Sequence, residues 1–245
     1  MRISWLAIAA ATLAFGGSAH ATEFITNGDF SQLTAGLGQL GYNTNATGWS
    51  VPDPNTGGSY AFVFNNGATS VVGQSGPVSL WTQSNGGSST WNGASVSGHN
   101  FVAMDGVLNV GALTQNISGL TVGNQYTLTF DYAFGQQFGY TGDTTNQWNF
   151  SLGGSSASTP NYSVASQGFS GWQTESYTFT ATSTSELLSF IAQGGPSPGE
   201  PPFALLTDVS LTSSAPGPGP ATGPLAVLGL LGLGYARLRR ARGQA

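Results

Sequence analysis

From Gly123 to Gly135 the chain reads GNQYTLTFDYAFG, and Tyr126, Leu128, Phe130, Tyr132 and Phe134 fall on every second position. Gln125, Thr127, Thr129, Asp131 and Ala133 fill the alternate ones. A helix would scatter these five large side chains around its circumference, whereas a strand places them all on one face. Each yields about 1.5–3 kcal/mol on burial, but only if a second layer covers that face. The segment therefore demands a layered β structure with this strand at its centre. Outside it, short apolar runs recur between Gly, Ser and Asn clusters: Tyr60 to Phe64, Val78 to Trp81, Phe101 to Met104, Leu113 to Ile117, Trp148 to Leu152, Tyr177 to Thr182, Leu187 to Ala192 and Phe203 to Leu211. About ten short strands with turn chemistry between them, and no sustained helical period, define an antiparallel sandwich or barrel.

The two ends of the 245-residue chain are of another kind. Residues 1–21 carry Arg2, an apolar run from Trp5 to Phe15 and the small-residue pattern Ala19-His20-Ala21, the layout of a secretory signal peptide cleaved after Ala21. Residues 22–213 form the expected sandwich domain. Residues 214–224 are a Pro/Gly linker, with Pro216, Pro218 and Pro220 alternating with glycine. Residues 225–245 begin with an apolar stretch, Leu225 to Ala236, and end in Arg237, Arg239, Arg240 and Arg242. As a helix that stretch would span about 18 Å, short against a hydrocarbon core of about 30 Å, with positive charge on the cytoplasmic side. It reads as a short hydrophobic helix for transient membrane insertion.

Charge narrows the partners. All five basic residues lie in the two ends, while all ten acidic residues lie between Glu23 and Asp208. A domain with ten carboxylates and no Lys or Arg has nothing with which to neutralise phosphate, so nucleic acid and anionic lipid are excluded as partners of the sandwich. Cysteine is absent, which removes disulfides, thiolate catalysis and thiolate metal sites.

The Pro-rich motif, short Leu/Gly helix and Arg cluster at the C-terminus, together with the N-terminal signal, resemble the PEP-CTERM sorting signal of Gram-negative bacteria. The Pro-Glu-Pro triplet itself is replaced by the Pro-Gly alternation. The resemblance implies an exosortase-type sorting protease as partner, a transient inner-membrane stage, and delivery to the cell surface or extracellular matrix. A second resemblance rests on Asn27-Gly28-Asp29-Phe30, Gly48-Trp49, Asn100 to Gly106, Leu113 to Ile117, the central strand, Gly171-Trp172, Tyr177 to Ala181 and Pro201 to Leu211. In that order they are similar to the galactose-binding-like jelly-roll domains related to carbohydrate-binding modules. This implies an all-β, antiparallel β-sandwich of jelly-roll type, and a calcium ion between the opening segment and the last strand. The residues at those places are Asn27, Asp29 and Asp208. Thr207 and Ser31 stand where that family often has further acids.

Catalytic constellations are thin. No two of the ten acids share a short motif, and His99 is the one imidazole available to the processed chain. A glycosidase needs two carboxylates about 5–9.5 Å apart, which spacing along a sequence does not reveal. Aromatic platforms are the better prospect, because a pyranose stacks its apolar face on a ring while amides and carboxylates bond its hydroxyls. Trp81, Trp91, Tyr140 and Trp148 lie in or beside two long polar loops, residues 81–98 and 135–146, with Gln136 nearby; Asp131 points to the opposite face of the central strand. These six are the expected ligand-binding residues, while Trp49 and Trp172 are expected in the core. The expected function is non-enzymatic interaction with an extracellular polysaccharide. A polysaccharide-acting enzyme, marked by a convergent acid pair in a cleft, and a structural surface protein, marked by aromatics folded back into the core, are the alternatives.

Overall fold

Tyr126, Leu128, Phe130, Tyr132 and Phe134 all enter one core, as their spacing requires. Phe130 stands at its middle, edge-on to Phe150 at 5.1 Å and to Phe190 at 5.1 Å. The computed structural model describes residues 21–67, 70–196 and 199–213. The expected signal peptide through His20, with Ala19, and the expected sorting tail, with Pro216, Pro218, Pro220, Arg237, Arg239 and Arg240, lie outside the described residues.

Thirteen strands make up the described part. The six-stranded sheet is ordered β1 (Gly38–Gln39), β2 (Ala61–Phe64), β5 (Phe101–Asp105), β13 (Pro202–Ser213), β7 (Gln125–Gln136), β11 (Gln173–Thr180). A five-stranded sheet packs over it, ordered β10 (Tyr162–Val164), β8 (Thr144–Leu152), β12 (Ser185–Gly195), β6 (Leu113–Ser118), with β9 (Ser155–Ser158) paired to β8. A separate hairpin joins β3 (Val71–Gly73) to β4 (Gly76–Val78). All strand pairs are antiparallel. From β5 to β8, and again from β10 to β13, each successive strand crosses to the other sheet, which is the connectivity of a jelly roll. The fold is an antiparallel β-sandwich, with two single 3-10 turns, Pro54–Thr56 and Gln83–Asn85, and no α-helix among the described residues.

A second core lies on the other face of the six-stranded sheet. Phe62, Phe64, Phe101, Ala103, Ala133, Phe203 and Leu205 project there and are covered by Val71, Val78, Leu80, Trp91, Phe169 and Trp172 from the long connections. Strands β2, β5 and β13 are therefore buried on both sides. This accounts for their unbroken apolar runs, AFVF, FVAM and FALL, where β7 alternates. Residues 81–98 turn Trp81 and Trp91 inward as part of this covering layer, while most of the residues between them remain exposed or partly exposed.

Strand β13 carries a register shift between Thr207 and Ser210, with Asp208 at φ 50°. The opening segment docks at this irregularity: Val209 N donates to Gly28 O at 3.0 Å, and a side chain at Gly28 would collide with the Val209 carbonyl. Farther along, Phe24 N donates to Leu211 O at 2.9 Å, and the Glu23 carboxylate accepts from Leu211 N at 2.9 Å. Residues 22 and 213 thus lie side by side at one end of the sandwich.

Candidate functional site

The structure divides the six expected ligand-binding residues. Trp148 is fully buried, and its indole N–H donates to Leu205 O at 3.0 Å through the inner core. Trp91 lies face to face with Phe169 at 4.2 Å, and its indole N–H donates to Ala94 O at 2.7 Å. Neither offers a free ring, so the expectation that they are sugar platforms is corrected. An apolar sheet face needed covering, and these indoles were among the largest side chains at hand. Trp172 also donates to Ala94 O, at 2.9 Å, and packs with the same outer core. Asp131 accepts from Thr174 Oγ1 at 2.6 Å on the outer face of the six-stranded sheet.

Trp81, Gln136 and Tyr140 meet at the end of the sandwich opposite residues 22 and 213. Tyr140 is 40% exposed, while Trp81 and Gln136 are buried beneath its loop. The Trp81 indole N–H donates to Tyr140 O at 2.7 Å, and its ring packs on Phe138 at 4.6 Å. The Gln136 side-chain amide donates to Gly142 O at 3.1 Å, while its carbonyl accepts from Gln167 N at 2.8 Å. Gln137 N donates to Pro201 O at 3.3 Å and Phe138 N to Ser79 O at 2.9 Å. Four hydrogen bonds, from Ser79, Trp81, Gln136 and Pro201, hold residues 137–142, so Trp81 and Gln136 position Tyr140 and do not themselves face solvent.

Tyr140 lines a cleft of about 280 Å³ together with Asp105, Val107, Leu108, Pro196, Glu200 and Pro201. Asp105 ends β5, and Gly106 follows it where the backbone passes Gly194; a Cβ there would come within 2.6 Å of Gly194 N. This tight crossing fixes the Asp105 carboxylate. Its Oδ1 accepts from Val107 N at 2.7 Å and Leu108 N at 3.0 Å. Its Oδ2 is buried without a hydrogen-bond partner among the described residues. Burial pushes the Asp105 carboxyl up to about 6, against the opposing pull of the two N–H groups. Burial and then the Asp105 charge raise Tyr60 as well. Glu200 reaches Gly142, whose φ of 119° and missing side chain leave room for the carboxylate. Leu108, Phe138 and Val110 add exposed apolar surface at 50%, 43% and 45%.

Sequence reasoning passed over Asp105, Leu108 and Glu200. Asp105 was legible only as the end of an apolar run followed by glycine, a common turn signal. A larger groove of about 440 Å³ runs over the outer face of β8, β9 and β12, lined by Asn149, Ser151, Ser156, Ser158, Ser189 and Ile191. It offers amides and hydroxyls but no exposed ring and no charge.

The residues expected to hold calcium do adjoin one another, and one side-chain oxygen of each is engaged within the protein. Asn27 Oδ1 accepts from Gln32 N at 2.9 Å while its Nδ2 donates to Gln32 O and Thr47 O. Asp29 Oδ1 accepts from Ser31 N at 3.1 Å and from Ser31 Oγ at 2.9 Å. Asp208 pairs with His99 Nδ1 at 2.6 Å, and that hydrogen bond, opposed by slight burial and aided by the Asp208 and Asp29 charges, raises the imidazole. Thr207 turns its hydroxyl to Asn100 O at 2.7 Å. Asn27 is thus committed to a turn and Asp208 Oδ1 to His99. No group of three or more His, Asp or Glu residues suited to a metal occurs among the described residues.

No protein-family model matches the sequence, and no curated protein is significantly similar to it. Solved structures with a related chain path include the carbohydrate-binding module TmCBM61 in complex with β-1,4-galactotriose, at 14% identity and a TM-score of 0.41, covering 79% of this chain and 99% of that one. The CBM22-1 xylan-binding domain of Paenibacillus barcinonensis Xyn10C matches at 8% identity and a TM-score of 0.38, covering 79% and 95%. The K3 cleaved adhesin domain of Lys-gingipain from Porphyromonas gingivalis matches at 12% identity and a TM-score of 0.39, covering 79% and 99%.

Proposed function

We propose that the cleft at the end of the sandwich binds a saccharide, and that the protein is an exported surface or matrix protein that holds extracellular polysaccharide without cleaving it. One observation carries this reading: an exposed tyrosine, Tyr140, and a carboxylate residue, Asp105, line the same cleft. A pyranose presents an apolar C–H face and a hydroxyl edge, and these are the two complements it requires. Leu108 and Pro201 supply further apolar wall, and Glu200 a second acceptor. The test is a glycan screen of the full chain beside Tyr140→Ala. Binding of a neutral oligosaccharide that the substitution weakens supports the reading; no binding across neutral and acidic glycans overturns it.

Export is supported by the residue pattern of the two ends, with an exosortase-type protease reading Pro216 to Arg242 after a transient inner-membrane stage. Intact mass of the surface-associated protein checks this. The expected product starts at Thr22 and lacks Arg237 to Arg242.

A second reading is favoured by the acid pair. Burial raises the Asp105 carboxyl to about 6, closer than a free carboxylate to the range in which a general acid works, and Glu200 lines the same cleft. A polysaccharide-acting enzyme would release new reducing ends and lose that activity in Glu200→Gln. A binding module would release none.

A further inference from the structure

Hydrogen-bond donors are scarce around the Tyr140 cleft. Asp105 N donates to Tyr60 O at 3.1 Å, and Val107 N and Leu108 N are both taken by Asp105 Oδ1, at 2.7 and 3.0 Å. Tyr140 N donates to Gln137 O at 3.4 Å, and Pro196 and Pro201 carry no N–H at all. Among the described lining residues, the donors left are at most the Tyr140 hydroxyl and the N–H groups of Gly199 and Glu200. The cleft instead presents C–H surface from Val107, Leu108 and the two prolines, beside the partly buried carboxylate of Glu200, which as an anion can only accept. A ligand that fits must bring an apolar group and a donor side by side.

We infer that the cleft selects a 2-acetamido sugar, whose methyl group packs against Val107, Leu108 and Pro201 while its N–H donates to the Glu200 carboxylate. This rests on the saccharide reading of the cleft and names the class of sugar it takes. A secondary amide is trans, so its N–H and carbonyl point to opposite sides and its methyl lies on the same side as the N–H. An acetamido group can therefore turn methyl and donor into the cleft together, while its carbonyl, which would meet few donors inside, faces solvent. A plain hexose puts a hydroxyl at the same position, which supplies a donor but no apolar group and leaves its lone pairs unmatched against proline and leucine. A uronate would set its carboxylate against Glu200 in a domain with no Lys or Arg between Thr22 and Ser214. A space of about 280 Å³ lies just under the ~300 Å³ at which pockets for drug-sized molecules begin, so it takes one sugar ring, with the exposed Tyr140 ring available to the C–H face.

Calorimetric titration of the full chain with matched β-1,4-linked trisaccharides of N-acetylglucosamine, glucose and glucosamine tests this, because the three differ only in the substituent at C2. N-acetylgalactosamine against galactose repeats the comparison for the epimer at C4. Binding at least tenfold tighter for the acetylated sugar is expected in one series or both. Leu108→Ser and Glu200→Ala should each cut that preference to about threefold or less, and since Leu108 is exposed and Glu200 partly so, neither change empties the core. A preference that survives both substitutions overturns the inference. So does tighter binding of the glucosamine trimer, since attraction of an ammonium group would then outweigh the methyl contact. Saccharide binding with no acetamido preference in either series overturns the inference and spares the saccharide reading. Absence of any saccharide binding sinks the saccharide reading and takes this inference with it.

Discussion

The indole of Trp91 lies flat on Phe169, with ring planes 6° apart, and shares the carbonyl of Ala94 with the indole of Trp172. A ring so engaged is covered by protein, not by sugar. Trp91→Ala should therefore lower stability by about 3–5 kcal/mol, the cost of removing a buried indole. Saccharide affinity per folded molecule should not change. Denaturant unfolding alongside a binding titration checks both; a stable variant with lost binding would return Trp91 to the site.

Tyr140 and Trp81 separate recognition from support. Tyr140→Ala removes an exposed ring and should weaken saccharide binding by about 1–3 kcal/mol while leaving thermal stability within about 0.5 kcal/mol. Trp81→Phe keeps the packing on Phe138 but deletes the donor to Tyr140 O. It should cost about 1–2 kcal/mol of stability and a smaller part of the affinity, through a looser loop. Equal effects of the two on affinity and stability would mean that Tyr140 is itself structural.

The pH dependence of stability follows from Asp105. Its carboxyl rises from 3.8 in the unfolded chain to about 6 in the folded one, so the native state holds the proton more tightly. The resulting stability is fully present below about 3.8 and is lost as pH rises through about 6, by up to about 3 kcal/mol in all. Asp105→Asn should flatten this slope and raise stability at pH 7 in chelator. The raised imidazole of His99 acts in the same direction but above 6.5, so the two windows separate in a denaturant series from pH 4 to 8. A slope from pH 4 to 6 that is the same in the wild type and in Asp105→Asn would contradict the burial of a charged Asp105.

Core register provides a simpler test. Phe130 is 1% exposed between Phe150 and Phe190, whereas its neighbour Thr129 faces the other side of the sheet. Phe130→Ala should cost about 3–5 kcal/mol and Thr129→Ala well under 1. Comparable losses measured by calorimetric melting would overturn the register.

The inner core was readable because alternation on β7 is a purely local signal. The outer core was present in the sequence too, in a form that was not weighed. Four apolar residues in a row at 61–64, 101–104 and 203–206 cannot be satisfied by a strand with one dry face. They announce a third layer, and Trp91, Phe169 and Trp172 are among the aromatics that build it. Tyr140 was singled out for its place in a polar loop, and it does line the cleft. Asp105 and Glu200 stand 95 positions apart, and they converge only because Phe203 pairs with Asp105 across β5 and β13. That is a long-range register no local pattern encodes. The opening segment and last strand were expected together and are together, and His99, from a third place in the chain, joins them through Asp208.

Strand β13 begins beside the cleft at Pro202 and ends beside Thr22 at Ser213, a path of about 35–40 Å. If the chain is held beyond Ser213 while a polymer is gripped at the cleft, the pull runs along this one strand. It is flanked by β7 over ten paired residues and by β5 over four, so the load falls on those ladders in parallel and in shear. Rupture then requires many bonds to fail together, where peeling an edge strand would break them one at a time. Resistance to forced extension is governed by the unfolding rate and not by equilibrium stability. The central position of β13 thus gives a domain without a single disulfide the geometry of a tensile link.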